Sequence, residues 1–179
     1  MYKESITLIL ELFKYKVSYV ATLMQEFQAL DAILDRLKQR LEDSAVELLF
    51  KLIGSIYREN YKLVTKTQHE ALIQTFTQYL GPNTNLYTLI WCLNYIARES
   101  PQHAIQLLQP LNSALRQCSN QIREEINDNL WLLLSRYALH FPDKLYAYKW
   151  KLLALKEPKK IANAIIKGFH NIFAGNTIR

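Results

Sequence analysis

Four glycines and five prolines in 179 residues leave little material for hairpin turns or flexible linkers, and the few present stand where helices would start or stop. The two cysteines, Cys92 and Cys118, lack paired spacing. That excludes a CxxC…CxxC zinc module and makes buried thiols in a reducing compartment the expectation over a disulfide. No apolar run approaches the ~20 residues that a bilayer span needs. Ile6 to Leu10 ends at Glu11, and Leu130 to Leu134 is soon followed by Arg136. Glu4, Glu11, Lys14 and Lys16 interrupt the N-terminal stretch, which excludes the continuous core of a secretory signal. A cytoplasmic or nuclear location is the expectation.

Acidic residues are scarce at one end. Residues 1–140 hold 14 Lys/Arg and 14 Asp/Glu, whereas residues 141–179 hold 8 and 2, so all of the +6 net charge lies in the last part of the chain. Such an end attracts acidic protein, phosphate or an anionic membrane, or forms a basic solvated face.

What the chain has in abundance is apolar residues at three-four spacing, as in Leu86, Leu89, Ile90, Leu93 and Ala97, then Ala104, Leu107, Leu108, Leu111 and Leu115. This is the period of amphipathic helices. Ser44-x-x-Glu47 and Thr67-x-x-Glu70 fit capping boxes, Ser100-Pro101 places a cap before a proline at the first helical position, and Gly81-Pro82-Asn83 breaks the chain. These signals predict helices over 3–20, 22–42, 44–60, 67–80, 84–99, 101–117, 120–140, 142–156 and 158–174, the first two alternatively forming one bent helix. Phe27, Leu30, Leu34, Leu37 and Leu41 alternate by three and four, which reads as core or as a coiled-coil seam.

A shift of 41 residues superimposes Leu89 on Leu130, Leu93 on Leu134, Ala97 on Ala138, Pro101 on Pro142 and Leu111 on Leu152. Ile90 likewise meets Trp131, Ile96 meets Tyr137, Ala104 meets Leu145 and Leu107 meets Tyr148. Leu48, Leu52 and Ile56 keep the spacing one step upstream. The period suits HEAT-type helix pairs, which cannot bury their apolar stripes alone and stack on neighbours. The expected fold is all-α, one domain over 1–179, with N-terminal helices in 1–43 and HEAT-like pairs in 44–174. A closed helical bundle is the alternative.

The stretch from Pro101-Gln102-His103-Ala104-Ile105-Gln106-Leu107-Leu108-Gln109 to Leu115-Arg116 and Glu124-Glu125 resembles the C-terminal HEAT repeats of the transportin group of importin-β nuclear transport receptors. So do Phe141-Pro142, the following Tyr146 and Trp150, and Ile165-Ile166-Lys167-Gly168-Phe169-His170-Asn171, in that order, within residues 84–175. The resemblance implies a right-handed α-solenoid of antiparallel helix pairs that recognises protein on its concave face. The chain is too short to hold such a receptor's GTPase-binding repeats and lacks acidic character suited to basic cargo signals, so a cut-down or fragmentary scaffold of that architecture is what the resemblance implies.

Catalytic patterns are missing. His69-Glu70 is followed by Ala71, Leu72 and Ile73, so no metal-ligand pair forms, and His103, His140 and His170 stand isolated. No glutamate precedes a histidine by three residues, and glycines 54, 81, 168 and 175 build no phosphate loop or nucleophile elbow. Glu124 and Asp128, one turn apart, could share a cation or complement a helix dipole. No enzyme, cofactor or metal is expected. Two surfaces remain. Tyr87, Trp91 and Tyr95 form an aromatic ridge at i, i+4 and i+8, which serves either as a protein-partner anchor or as packing for the next pair. In the terminal helix Ile161, Ile165, Phe169, Ile172 and Phe173 share an apolar face, while Lys160, Asn163, Lys167 and His170 share another. Lys149, Lys151, Lys156 and Lys159 add charge nearby. This helix would cap the stack with a polar face, or bind nucleic acid or anionic lipid. The leading expectation is a non-enzymatic scaffold for a protein partner, with the basic module as alternative.

Overall fold

A computed structural model describes residues 2–15, 22, 28–39, 41–81, 85–147 and 158–174. The described residues are helical and contain no strand. The helices are α1 (Tyr2–Tyr15), α2 (Ala29–Leu37), α3 (Asp43–Asn60), α4 (Lys66–Tyr79), α5 (Leu86–Glu99), α6 (Pro101–Ala104), α7 (Leu108–Gln117), α8 (Asn120–His140), α9 (Pro142–Ala147) and α10 (Pro158–Phe173). Short 3₁₀ turns cover Tyr61–Leu63 and Ile105–Leu107.

Most expected boundaries among the described residues hold within two residues; the expected helix over 22–42 does not, because Gln28 stands in the left-handed region (φ 48°) just before Ala29 and the helix ends at Leu37. The expected helix over 101–117 is divided by the 3₁₀ turn at Ile105–Leu107, just before Pro110. Proline has no N–H for the carbonyl four residues back and its ring crowds that carbonyl, so the preceding turn tightens. The two expected capping boxes are also displaced. The N-cap of α3 is Glu42, without a side-chain cap, and Ser44 lies inside the helix, where it accepts from Lys3. The working box is Thr65-x-x-Gln68. Gln68 N donates to Thr65 Oγ1 at 3.2 Å, and Thr65 N donates to Gln68 Oε1 at 3.0 Å. Thr65→Ala should therefore lower stability by about 1 kcal/mol in urea denaturation, while Thr67→Ala should change it by no more than a few tenths. The question of a single bent helix across 16–27 falls outside the described residues, Thr22 apart, and the expected helix over 142–156 is described only to Ala147.

Hydrogen bonds between separate helices give the packing its direction. At the N-terminal ends, Lys3 of α1 reaches Ser44 of α3. At the C-terminal ends, Arg98 of α5 donates to the Arg58 carbonyl of α3. Farther on, Arg136 of α8 donates to the Asn94 carbonyl of α5, and Asn94 Nδ2 donates to the Asn129 carbonyl at 2.8 Å. Helices α1, α3, α5 and α8 therefore lie side by side and point the same way, with α10 packed on α8. The intervening helices do likewise: Gln68 of α4 donates to Asp31 of α2 near their starts, and Tyr79 Oη donates to the Leu37 carbonyl near their ends. These links span 35 to 42 residues, about the 41-residue shift that aligns the sequence with itself.

Between the two sets of helices runs one connected core. Leu89, Leu93 and Ala97 of α5 and their equivalents Leu130, Leu134 and Ala138 of α8 are all buried, as are Ala104, Leu111 and Leu145. Leu152 lies outside the described residues. Phe50 meets Phe76 and Tyr79 edge-on with ring centroids 5.1 and 5.4 Å apart. Buried Tyr137 donates to the Ala104 carbonyl at 2.8 Å, which satisfies its hydroxyl without water. Leu30, Leu34 and Leu37 are buried and Leu41 packs against the same cluster, so this run is core; Phe27 is outside the described residues.

Candidate protein-binding groove

An open groove of about 420 Å³ lies across the face of α3 opposite Phe50 and Tyr57. On α3, Leu48, Lys51, Ser55 and Arg58 line it at i, i+3, i+7 and i+10, one stripe of a helix. From one side α1 contributes Thr7, Leu10 and Glu11; from the other, α5 contributes Tyr87, Thr88 and Trp91. The lining combines the half-buried apolar side chains of Leu10, Leu48 and Trp91 with polar ones, of which Ser55 and Thr88 are buried. Lys51 pairs with Glu47 at 2.7 Å, and Arg58 pairs with Glu59 on the same helix. Ser55 Oγ donates to the Lys51 carbonyl at 2.9 Å.

The aromatic ridge is divided by the fold. Tyr87 is 50% exposed. Trp91 is half-buried because α3 carries glycine at position 54: a Cβ there would stand 3.1 Å from Trp91 Cε3 and closer still to Cζ3. The missing side chain is the space the indole occupies. Tyr95 does not line the groove. It meets Trp91 edge-on at 4.9 Å, lies beneath the Arg98 guanidinium at 5.4 Å and faces toward α8. Of the three ridge residues, Tyr87 and Trp91 line the groove, while Tyr95 packs against Trp91 and Arg98.

The lysine set is likewise divided. Lys149, Lys151 and Lys156 lie outside the described residues. Lys159 and Lys167 are exposed on α10. Lys160 holds its ammonium 5.0 Å from the centre of the Trp131 ring on α8, a cation–π contact that ties α10 to its neighbour. The expected apolar face of α10 is only partly inward: Ile161 and Ile165 are buried and Phe169 is half-buried, but Ile172 and Phe173 are exposed. The cause is again a glycine. Gly168 is pressed against Ala138, so the inward face of α10 runs through Ile161, Ile165 and Gly168.

Sequence reading missed one cluster. His69 and His103, which stand isolated along the chain, are stacked with ring centroids 4.6 Å apart and planes 5° from parallel. Tyr57 Oη is 2.6 Å from His69 Nδ1, and Ser100 Oγ is 2.7 Å from His103 Nδ1. Burial, then the neighbouring His103, lowers the His69 pKa, and burial raises the Tyr57 phenol well above its ordinary range. The 34-residue separation of the two histidines does not match the 41-residue shift, so no pattern in the sequence pairs them. Among the described residues no group of three His, Cys, Asp or Glu side chains is placed to hold a metal. Glu124 lies beyond the first turn of α8, where the dipole reading is weak. Cys92 and Cys118 are both free and buried, and burial raises both thiols. Among the described residues no helix is long and apolar enough to cross a membrane.

No family model matches the chain, and no match is found among curated proteins or among solved structures. The likeness of residues 84–175 to transportin-type repeats therefore rests on the quoted motifs.

Proposed function

We propose that the chain is a non-enzymatic, HEAT-like α-solenoid that binds a segment of another protein in the groove across α1, α3 and α5. Parallel first helices, parallel second helices and inter-helix bonds one repeat apart support the stacked-pair reading over a closed bundle. The observation that carries the binding role is Tyr87, half-exposed in a groove that also presents the apolar side chains of Trp91, Leu10 and Leu48. Exposed tyrosine beside a partly buried tryptophan provides large contact area at low entropy cost, the composition of interface hot spots. Recognition would be by shape and burial, since the groove's cations Lys51 and Arg58 are already paired within α3.

The test is a photo-crosslinker at Thr7, on the groove wall, used in cell lysate with the parent chain and with Tyr87→Ala. Tyr87 contributes little to the core, so the variant should keep its melting curve while losing a defined crosslinked protein by about tenfold or more. Trp91→Ala is a poor probe, because it would open a cavity against Gly54. A crosslinked product unchanged by Tyr87→Ala, or none in either chain, would overturn the proposal.

A further inference from the structure

On α10, the outward surface carries two parallel strips. Ala162, Ile166, Phe169 and Phe173, at i, i+4, i+7 and i+11, form an apolar strip in which Ile166 is 66% and Phe173 84% exposed. Phe169 and Phe173 stack at 6.3 Å, which makes the strip continuous at its C-terminal end. Alongside run Lys159, Asn163, Lys167 and His170, all exposed, and the helix has no acidic residue over Pro158–Phe173. The opposite face is consumed by packing on α8 and α9 through Ile161, Ile165 and Gly168. The helix is thus held in place by one face and presents a basic, apolar one.

We infer that this face of α10 docks on an anionic lipid surface, with Ile166 and Phe173 entering the acyl boundary and Lys159 and Lys167 meeting the headgroups. The charge is complementary to acidic lipid, and the strip geometry is that of a helix lying in an interface plane. Nucleic acid would use the lysines but leave the apolar strip in water. A second copy docked through the same face would set lysines against lysines, because an isologous contact opposes like surfaces. Lys160 plays no part at the membrane; its contact with Trp131 anchors the helix from behind.

Sedimentation of the full chain with phosphatidylcholine vesicles, and with vesicles that also contain phosphatidylserine, tests this. The chain should pellet with the anionic vesicles alone, and less so as salt rises. Lys159→Glu with Lys167→Glu should weaken partitioning by at least ~25-fold, at about fivefold per lost lysine. Ile166→Gln with Phe173→Gln should weaken it by about tenfold or more. All four side chains are exposed, so helical content and melting should not change, and single substitutions serve if a double variant melts early. Three results would overturn the inference: no binding to anionic vesicles, undiminished binding by the apolar double variant, or pelleting without vesicles. If the apolar variant binds vesicles like the parent and a single-stranded oligonucleotide competes, the face reads phosphate and not a bilayer. None of these outcomes involves Tyr87 or the groove, so the two proposals stand or fall separately.

Discussion

Gly168→Ala should cost roughly 3 kcal/mol or more in urea denaturation and should free the amides of α10 to exchange with solvent before those of α5 and α8. An added Cβ would lie 3.1 Å from the Ala138 carbonyl carbon, 3.2 Å from Leu139 Cα and closer still to the Ala138 oxygen. Every one of those atoms is backbone inside α8, which cannot yield without breaking its own ladder. The helices must move apart, and with them go Ile161, Ile165 and the Lys160–Trp131 contact. Gly54→Ala provides the contrast. Its Cβ would also meet matter at contact distance, but that matter is the Trp91 ring, a side chain with the open groove beside it. The cost there should be about 1–2 kcal/mol, with a shift in Trp91 fluorescence as the ring swings outward. Equal losses at both glycines would mean that the two close approaches are not distinguished by what they touch.

Acidification should destabilise the fold steeply below about pH 6.5, the ordinary histidine value, because burial lowers His69 and His140 in the folded state. The sign follows from proton counting. Unfolded chains take up these protons at higher pH than folded ones, so stability is complete above the unfolded pKa and is lost as pH falls through the lower folded values. Each unmatched proton contributes at most about 1.4 kcal/mol per pH unit. The geometry around His69 explains why it resists charging. Tyr57 and His69 share one short bond in the interior, and a protonated His69 would require Nδ1 to donate where the Tyr57 hydroxyl also has a proton to place. Cation would also meet the stacked His103 ring, face to face across α4 and α6. Thermal melts from about pH 8 to about pH 5 should show this decline, and His103→Gln should make it shallower by removing the imidazole that helps to lower His69. A profile flat across this range, or one equally steep in His103→Gln, would show that the stack has no part in it.

Much of the fold was legible because helix formation is decided locally. Apolar residues at three-four spacing must share a face whatever surrounds them, so among the described residues from 44 onward the helices were placed with small errors at their ends, the 3₁₀ break at Ile105–Leu107 apart. The displaced capping box shows where local reading weakens: Thr67-x-x-Glu70 and Thr65-x-x-Gln68 both fit the pattern, and the earlier one wins because its side chains close both hydrogen bonds. A small part of the candidate groove was legible too. Tyr87 and Trp91 follow from spacing on one helix, whereas Thr7, Leu48 and Ser55 belong to two other helices and carry no pattern that joins them to α5.

By itself, then, the sequence determined an all-α fold, most helix ends among the described residues, the 41-residue self-similarity and the basic end, since each is a property of residue order and charge along the chain. Only tertiary structure decided which side of each stripe stays open to water. That choice rests on volumes meeting across helices: an absent side chain at Gly54 draws Trp91 down while Tyr87 stays out, and an absent one at Gly168 turns Ile166 and Phe173 outward. It also brought together His69 and His103, whose separation along the chain says nothing about contact until α4 and α6 lie side by side. Periodicity assigns a residue to a face; packing decides what, if anything, that face meets.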